Sequence, residues 1–282
     1  MAYGLNAPFG LRPHSSINGG AWTERITEYP IYASADGTTT YAQSLFMNDP
    51  VVFTTNRLKA GSIELYYPNF NNANPSTFST VPLLGTFRGC RYTDVNRNVV
   101  SSPIWPGATL VYPGTTITAL IADDPNIVYE IQISTSRDAA ANAFVANPYF
   151  PTAYNANLTR NGHIGSNFAL NIAGGTNFTT VTNAYTAATG KTYNNNPATG
   201  NVSTGLSGFY LDASTTTAAD NVGTNDYVKT IATLPLKVKG YSLNPANIAA
   251  TGLTFATTPF LNVLVTINNH VFGHNSAGTT FA

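Results

Sequence analysis

Charge is what this chain has least of. Only 9% of its 282 residues are Asp, Glu, Lys or Arg, against about 25% in ordinary soluble domains. The 13 basic and 13 acidic residues cancel, so composition supplies no field that would gather nucleic acid or anionic lipid. A single cysteine, Cys90, excludes an intrachain disulfide framework. No run approaches the roughly 18 apolar residues of a membrane-spanning helix, and no membrane partner is expected. The opening MAYGLNAPFGLRP has no basic stretch followed by an apolar one, so a secretory leader is not expected and synthesis in a cytoplasm is. Helical periodicity is scarce as well: Asp138 to Val145 is the one short stretch that reads as helix.

Hydrophobic residues make up 43% of the chain, enough to bury a substantial core. Asn, Thr, Ala, Gly and Tyr stand where Lys and Glu usually sit. A polar surface without charge suits a protein packed against neighbours. The clearest structural statement lies between Thr116 and Ser134. Ile127, Tyr129, Ile131 and Ile133 alternate with Val128, Glu130, Gln132 and Ser134, the period of two that a half-buried strand requires. Asp123-Asp124-Pro125-Asn126 separates this run from the one before it with turn chemistry, and the pair reads as a hairpin. Leu234, Leu236 and Val238 alternate in the same way, as do Leu261, Val263, Val265 and Ile267. Ala35-Asp36-Gly37 and Asn48-Asp49-Pro50 mark two further turns. No βαβ rhythm appears. The expected class is all-β, a β-barrel or sandwich with an extended N-terminal arm and long surface loops.

Two regions interrupt the pattern. Residues 1–28 are rich in Gly and Pro and hold no period, yet carry Leu5, Phe9, Leu11, Ile17 and Trp22. Apolar residues at that density are unusual in a solvated tail, so an extended arm is expected ahead of a β domain over 29–282. Within that domain, about 136–225 reads as a loop-rich insertion, poor in aliphatic residues. Its extreme part, 174–203, reads as a long surface loop or a pair of exposed hairpins, dispensable for folding.

Catalytic signatures are lacking. There is no Gly-rich phosphate loop, GxSxG elbow or HExxH motif. Asp123 and Asp124 are adjacent, and turn formation accounts for them better than a glycosidase pair does. His270 and His274 are four apart, a metal spacing only on a helix, and they follow a strand pattern. His14 and His163 stand beside Pro13 and Gly162 and read as loop residues. No enzyme activity, cofactor or metal site is expected. Arg88, Arg91 and Arg97 cluster around Asp94, which points to ion pairing or a subunit contact rather than nucleic acid.

The blocks NAPFGLRP (6–13), NDPV (48–51), LLGTFRGCRY (83–92), DDPNIVYEIQ (123–132), TGLSGFYLD (204–212) and VLVTINNH (263–270) come in an order that resembles tailed-bacteriophage virion structural proteins of the capsid decoration, or cement, type. The resemblance covers most of the chain but not 174–203. It implies a β-rich trimeric subunit, made in the host cytoplasm and bound to the outer capsid surface, with the major capsid protein as partner. It implies no catalytic residue. On this reading Leu5, Phe9, Leu11 and Trp22 would anchor the arm in a neighbour, and Arg12 and Arg25 would pair with acidic groups there. The alternative is a virion fibre or receptor-binding β domain that recognises host carbohydrate with its Tyr-, Asn- and Thr-rich loops.

Overall fold

The computed structural model describes residues 8–54, 61–66, 82–134, 165, 167–172, 200–201, 204–212, 234–243 and 262–273. Among these the regular structure is all strand: β1 (Arg12–Ser16), β2 (Thr27–Ile31), β3 (Pro50–Phe53), β4 (Ile63–Leu65), β5 (Gly85–Thr93), β6 (Val99–Ser102), β7 (Ile117–Ala122), β8 (Ile127–Ser134), β9 (Asn167–Ile172), β10 (Gly200–Asn201), β11 (Leu206–Ser207), β12 (Phe209–Asp212), β13 (Leu236–Tyr241) and β14 (Asn262–Ile267). The all-β expectation therefore holds.

The strands form two six-stranded sheets and one small two-stranded one. The first large sheet runs β3-β4-β2-β7-β5-β6, and β3 also pairs with β5. The second runs β1-β8-β12-β9-β13-β14, and β8 also pairs with β14. In each sheet five strands thus return to their starting point, with a sixth strand, β6 or β1, added on the outside. Closure of this kind removes exposed strand edges. The pairings β2–β4 and β8–β12 are parallel. Both sheets feed one hydrophobic cluster, which includes Leu11, Leu45, Phe87, Trp105, Ile121, Tyr129, Ile131, Leu170, Phe209 and Val265.

β7 and β8 are both strands, as the alternation predicts, but they are not a hairpin. β7 pairs with β2 and β5, whereas β8 pairs with β1, β12 and β14. The link at 123–126 is an arch between the two sheets. Asp124 shapes it by accepting from the backbone N–H of Asn126 at 2.9 Å. Asp123 ties it to β2, accepting from the Thr27 hydroxyl at 2.9 Å and the Tyr29 hydroxyl at 2.6 Å. Burial and the neighbouring carboxylate of Asp123 both push the Tyr29 phenol up. Gly85 packs beneath the arch at φ +154, where a Cβ would lie 2.1 Å from the Ala122 carbonyl oxygen. β8 is also not half-buried. Val128, Glu130 and Gln132 on its second face are nearly as covered as Ile127 and Ile131.

Three expectations about organisation are corrected. The segment 1–28 is not a separate arm over its described part: β1 lies in it, pairs antiparallel with β8, and β2 begins at Thr27. The chain after Thr27 builds the first sheet, but the second sheet takes its outer strand from the N-terminal segment. The region 136–225 is not only loop. It contributes β9 and β12, adjacent strands of the second sheet, whose Phe168, Leu170, Phe209 and Leu211 are core residues. Finally, the described part of 174–203, Gly200–Asn201, is strand. β10 pairs with β11, and a Cβ on Gly200 would meet the Phe46 ring at 2.3 Å. The rest of 174–203, the helical reading of 138–145, His163 and His274 lie outside the described residues.

Candidate subunit-contact site

The N-terminal segment enters the fold through a tight passage. Gly10, at φ +74, donates its N–H to the Phe209 carbonyl at 3.1 Å, and Leu11 donates to the Asn48 carbonyl at 2.9 Å. A Cβ on Gly10 would come within 2.3 Å of the Asn48 carbonyl oxygen and 2.5 Å of Ser207 Cβ, so only glycine fits there. Asn48 itself turns the chain at φ +72. Its Nδ2 donates to the Phe9 carbonyl at 3.0 Å, and its Oδ1 accepts from Arg88 Nη1. One asparagine thus fastens both the backbone of the entering segment and a guanidinium from β5.

Around Asn48 stand two guanidinium–aromatic pairs. Arg12 Cζ lies 4.6 Å above the Phe9 ring, and Arg88 Cζ lies 5.3 Å above the Trp22 ring, both within cation–π range. Arg12 also pairs with Glu130 of β8, which accepts from the Ser242 hydroxyl at 2.6 Å. Arg88 is the extra residue of a bulge in β5, between the pairs Phe87–Ile121 and Gly89–Leu120. A bulge re-aims a side chain out of the regular ladder, and here it directs Arg88 toward Trp22. Burial lowers the pKa of Arg88, and nearby Arg12 adds to that while Glu24 opposes it.

The proposed contact residues can now be placed. Leu11 is fully buried in the chain's own core, so it is not available to a neighbour; it fills the space between the entering segment and the sheets. Phe9 and Trp22 are half-buried, and Trp22 packs against the core. Arg12 uses its charge within the chain, on Glu130. Arg25 is exposed. Leu5 lies outside the described residues. The structure therefore gathers Phe9, Leu11, Arg12 and Trp22 in one place and joins to them Asn48 and Arg88, which the arm reading did not include. Of the other cations in the 88–97 stretch, Arg91 pairs with Glu28 and Arg97 lies 5.0 Å over the Tyr112 ring. Asp94 is occupied by its own turn, accepting from the N–H groups of Asn96 at 2.9 Å and Asn98 at 2.8 Å.

Two buried titratable groups stand out, Asp49 in this region and His270 elsewhere in the fold. Asp49, next to Asn48, is fully buried. Its Oδ2 accepts from the Phe46 N–H at 2.8 Å, and its Oδ1 has no hydrogen-bond partner. Desolvation pushes its carboxyl up to about 8, although the Phe46 N–H and the Ser207 hydroxyl favour the charged form. His270 is buried beside Leu83, to which its backbone bridges. Its Nδ1 accepts from the Phe272 N–H at 3.0 Å, which leaves the proton on Nε2, a buried atom without a partner. Burial pushes His270 down to about 4. Among the described residues no group of three or more His, Cys, Asp or Glu is placed to hold a metal ion.

Comparison of the chain with protein-family models, with curated proteins and with solved structures finds no match.

Proposed function

We propose that the chain is a structural virion protein that binds the outer surface of a phage capsid and stabilises the head, acting without catalysis as a homotrimer on the major capsid protein. The ordered sequence blocks described above suggest this role. The observation that carries it in the fold is the pair of guanidinium–aromatic contacts, Arg12 on Phe9 and Arg88 on Trp22, held at the place where the N-terminal segment enters. Arg and aromatic residues are the types enriched where proteins meet, and Lys and Glu are depleted there, which matches the low overall charge. A subunit that binds only the assembled shell adds its binding free energy to the assembled state.

The test is to add the purified protein to shells that lack it and follow both co-sedimentation and the melting temperature of the shell. Saturable binding with a rise in shell melting temperature is expected, and sedimentation of the free protein should give a mass near three chains. Absence of binding at saturating protein would refute the role, and a clean monomer would refute the trimer.

A further inference from the structure

We infer that the outer edge of β6 docks β6 of a second copy of this chain, the two strands running antiparallel about a two-fold axis at Val100. β6 stands outside the ring of five strands in its sheet and pairs only with β5. Which of its backbone groups face outward follows from the hairpin that leads into it. Asp94 donates its N–H to the Asn98 carbonyl at 2.9 Å. The Thr93 carbonyl is taken by the Tyr112 N–H at 2.9 Å rather than by its register partner Val99. Bonded and non-bonded pairs alternate along an antiparallel ladder. The pairs Tyr92–Val100 and Cys90–Ser102 therefore exchange the ladder bonds, and Val99 and Ser101 turn their N–H and C=O groups away from β5. Neither has a backbone partner for these groups among the described residues. Val99 is 79% exposed, and Ser101 is exposed as well.

The open stretch is closed at both ends. The Arg97 N–H is used inside the turn, on the Asp94 carbonyl at 3.0 Å, and Pro103 has no N–H. The donors that remain, on Val99 and Ser101, lie symmetrically about Val100. That symmetry selects the occupant. With two copies antiparallel about Val100, Val99 of each faces Ser101 of the other, and each facing pair exchanges two N–H···O=C bonds. A longer foreign strand would run past the open stretch, to Arg97 and Pro103, where no donor is offered. β6 reads VVSS, so no like charges are opposed when two copies meet. It also lacks the Lys, inward charge or bulge that keeps exposed edges apart. β1, the outer strand of the other sheet, is flanked by its own turn: Ser15 bridges Ala21, and Ser16 donates to the Gly20 carbonyl at 2.8 Å. One four-residue strand from each copy makes a small interface, so pairing is expected at high protein concentration or between copies already held side by side. It requires neither the trimer nor the shell. In a trimer it would join chains of different trimers, because a two-fold contact has no place in a three-fold ring.

Cysteine trapping reads the register. Val99→Cys and Ser101→Cys, mixed and oxidised, should give a covalent dimer of the two variants, because directly opposed residues lie within disulfide reach. Each variant oxidised alone should give much less, since its two cysteines would be offset by two residues along the paired strands. The wild type, whose Cys90 is buried, should give none. Sedimentation equilibrium of the wild type should show a mass that rises from micromolar to millimolar protein. Ser101→Pro removes an outward N–H and leaves the ladder to β5 intact, so it should keep the wild-type melting temperature and abolish the rise. If that variant melts lower, Val99→Lys takes its place, changing only an exposed side chain. The inference is overturned if the mixture does not cross-link, or if either cysteine variant alone cross-links as well as the mixture. It is overturned equally if the wild-type mass is constant over the range, which would leave the edge to a strand of another protein, or if the edge variant that keeps the wild-type melting temperature self-associates like the wild type.

Discussion

Asp49 makes the stability of this fold depend on pH in a direction opposite to that of most carboxylates. Unfolded, it ionises near its ordinary 3.8; folded, only near 8. Between those values the native state holds a proton that the unfolded chain has released. Stability contributed by the group is therefore fully present below about pH 4 and is lost as pH rises through the folded pKa, by about 1.4 kcal/mol per pH unit. His270 acts the other way. Its folded value of about 4 lies below its ordinary 6.5, so between these the unfolded chain holds the extra proton and stability rises with pH. Below pH 6.5 the two slopes offset one another. Above it Asp49 alone sets the slope among the described groups, because Cys90 is an ordinary thiol at 9.0 when unfolded and is pushed by burial to about 12 when folded. From pH 6.5 to 8 the wild type should lose about 2 kcal/mol. Urea unfolding followed by tryptophan fluorescence across that range measures the slope. Asp49→Asn keeps a carbonyl to accept from the Phe46 N–H and cannot ionise, so its stability should be flat relative to the wild type. A wild-type midpoint that does not move between pH 6.5 and 8, or an Asp49→Asn variant with the same slope, would refute the reasoning.

The N-terminal segment yields two further predictions. Leu11→Ala leaves a cavity in the shared core and should cost about 2–5 kcal/mol in urea unfolding; a loss under 1 kcal/mol would mean that Leu11 is not packed as described. Deleting residues 1–25 removes β1 and Leu11 together and exposes the β8 edge that β1 covers, so the product should be insoluble or melt well below the full chain. A soluble product with an unchanged melting temperature would restore the view of the segment as a detachable arm.

How far the fold could be read from the residues depends on where each strand draws its stability. β7, β8, β13 and β14 alternate clearly because apolar residues take every second position along them, even where the intervening face is also covered, as in β8. β1, with the sequence RPHSS, shows no period because its place is secured by backbone pairing to β8 and by Leu11 just before it. β9 reads NFALNI and β12 FYLD, and a few apolar residues amid Asn, Thr and Gly do not rise above their surroundings. The arch escapes a local reading for a different reason. Asp-Asp-Pro-Asn is the chemistry of any tight reversal, and whether the strands it joins pair with each other or with distant partners is decided by non-local contacts that no local pattern records.

The candidate site divides in the same way. Phe9, Leu11, Arg12 and Trp22 stand out because large apolar and cationic groups are unexpected in a segment rich in Gly and Pro. Whether such groups face a neighbour or their own fold is decided by distant residues: Leu11 is buried in the shared core, and the exposed Arg12 pairs with Glu130 of β8. Arg88 was legible in principle. In GTFRGCRY strict alternation would set Phe87 on one face and Arg88 with Cys90 on the other, yet Phe87 and Cys90 are both fully buried. A charged residue sharing its parity with a buried thiol is the mark of an inserted residue, since one extra position reverses which face every later side chain takes. The conflict resolves with Arg88 as the inserted residue, which carries its guanidinium out of the ladder and over the Trp22 ring.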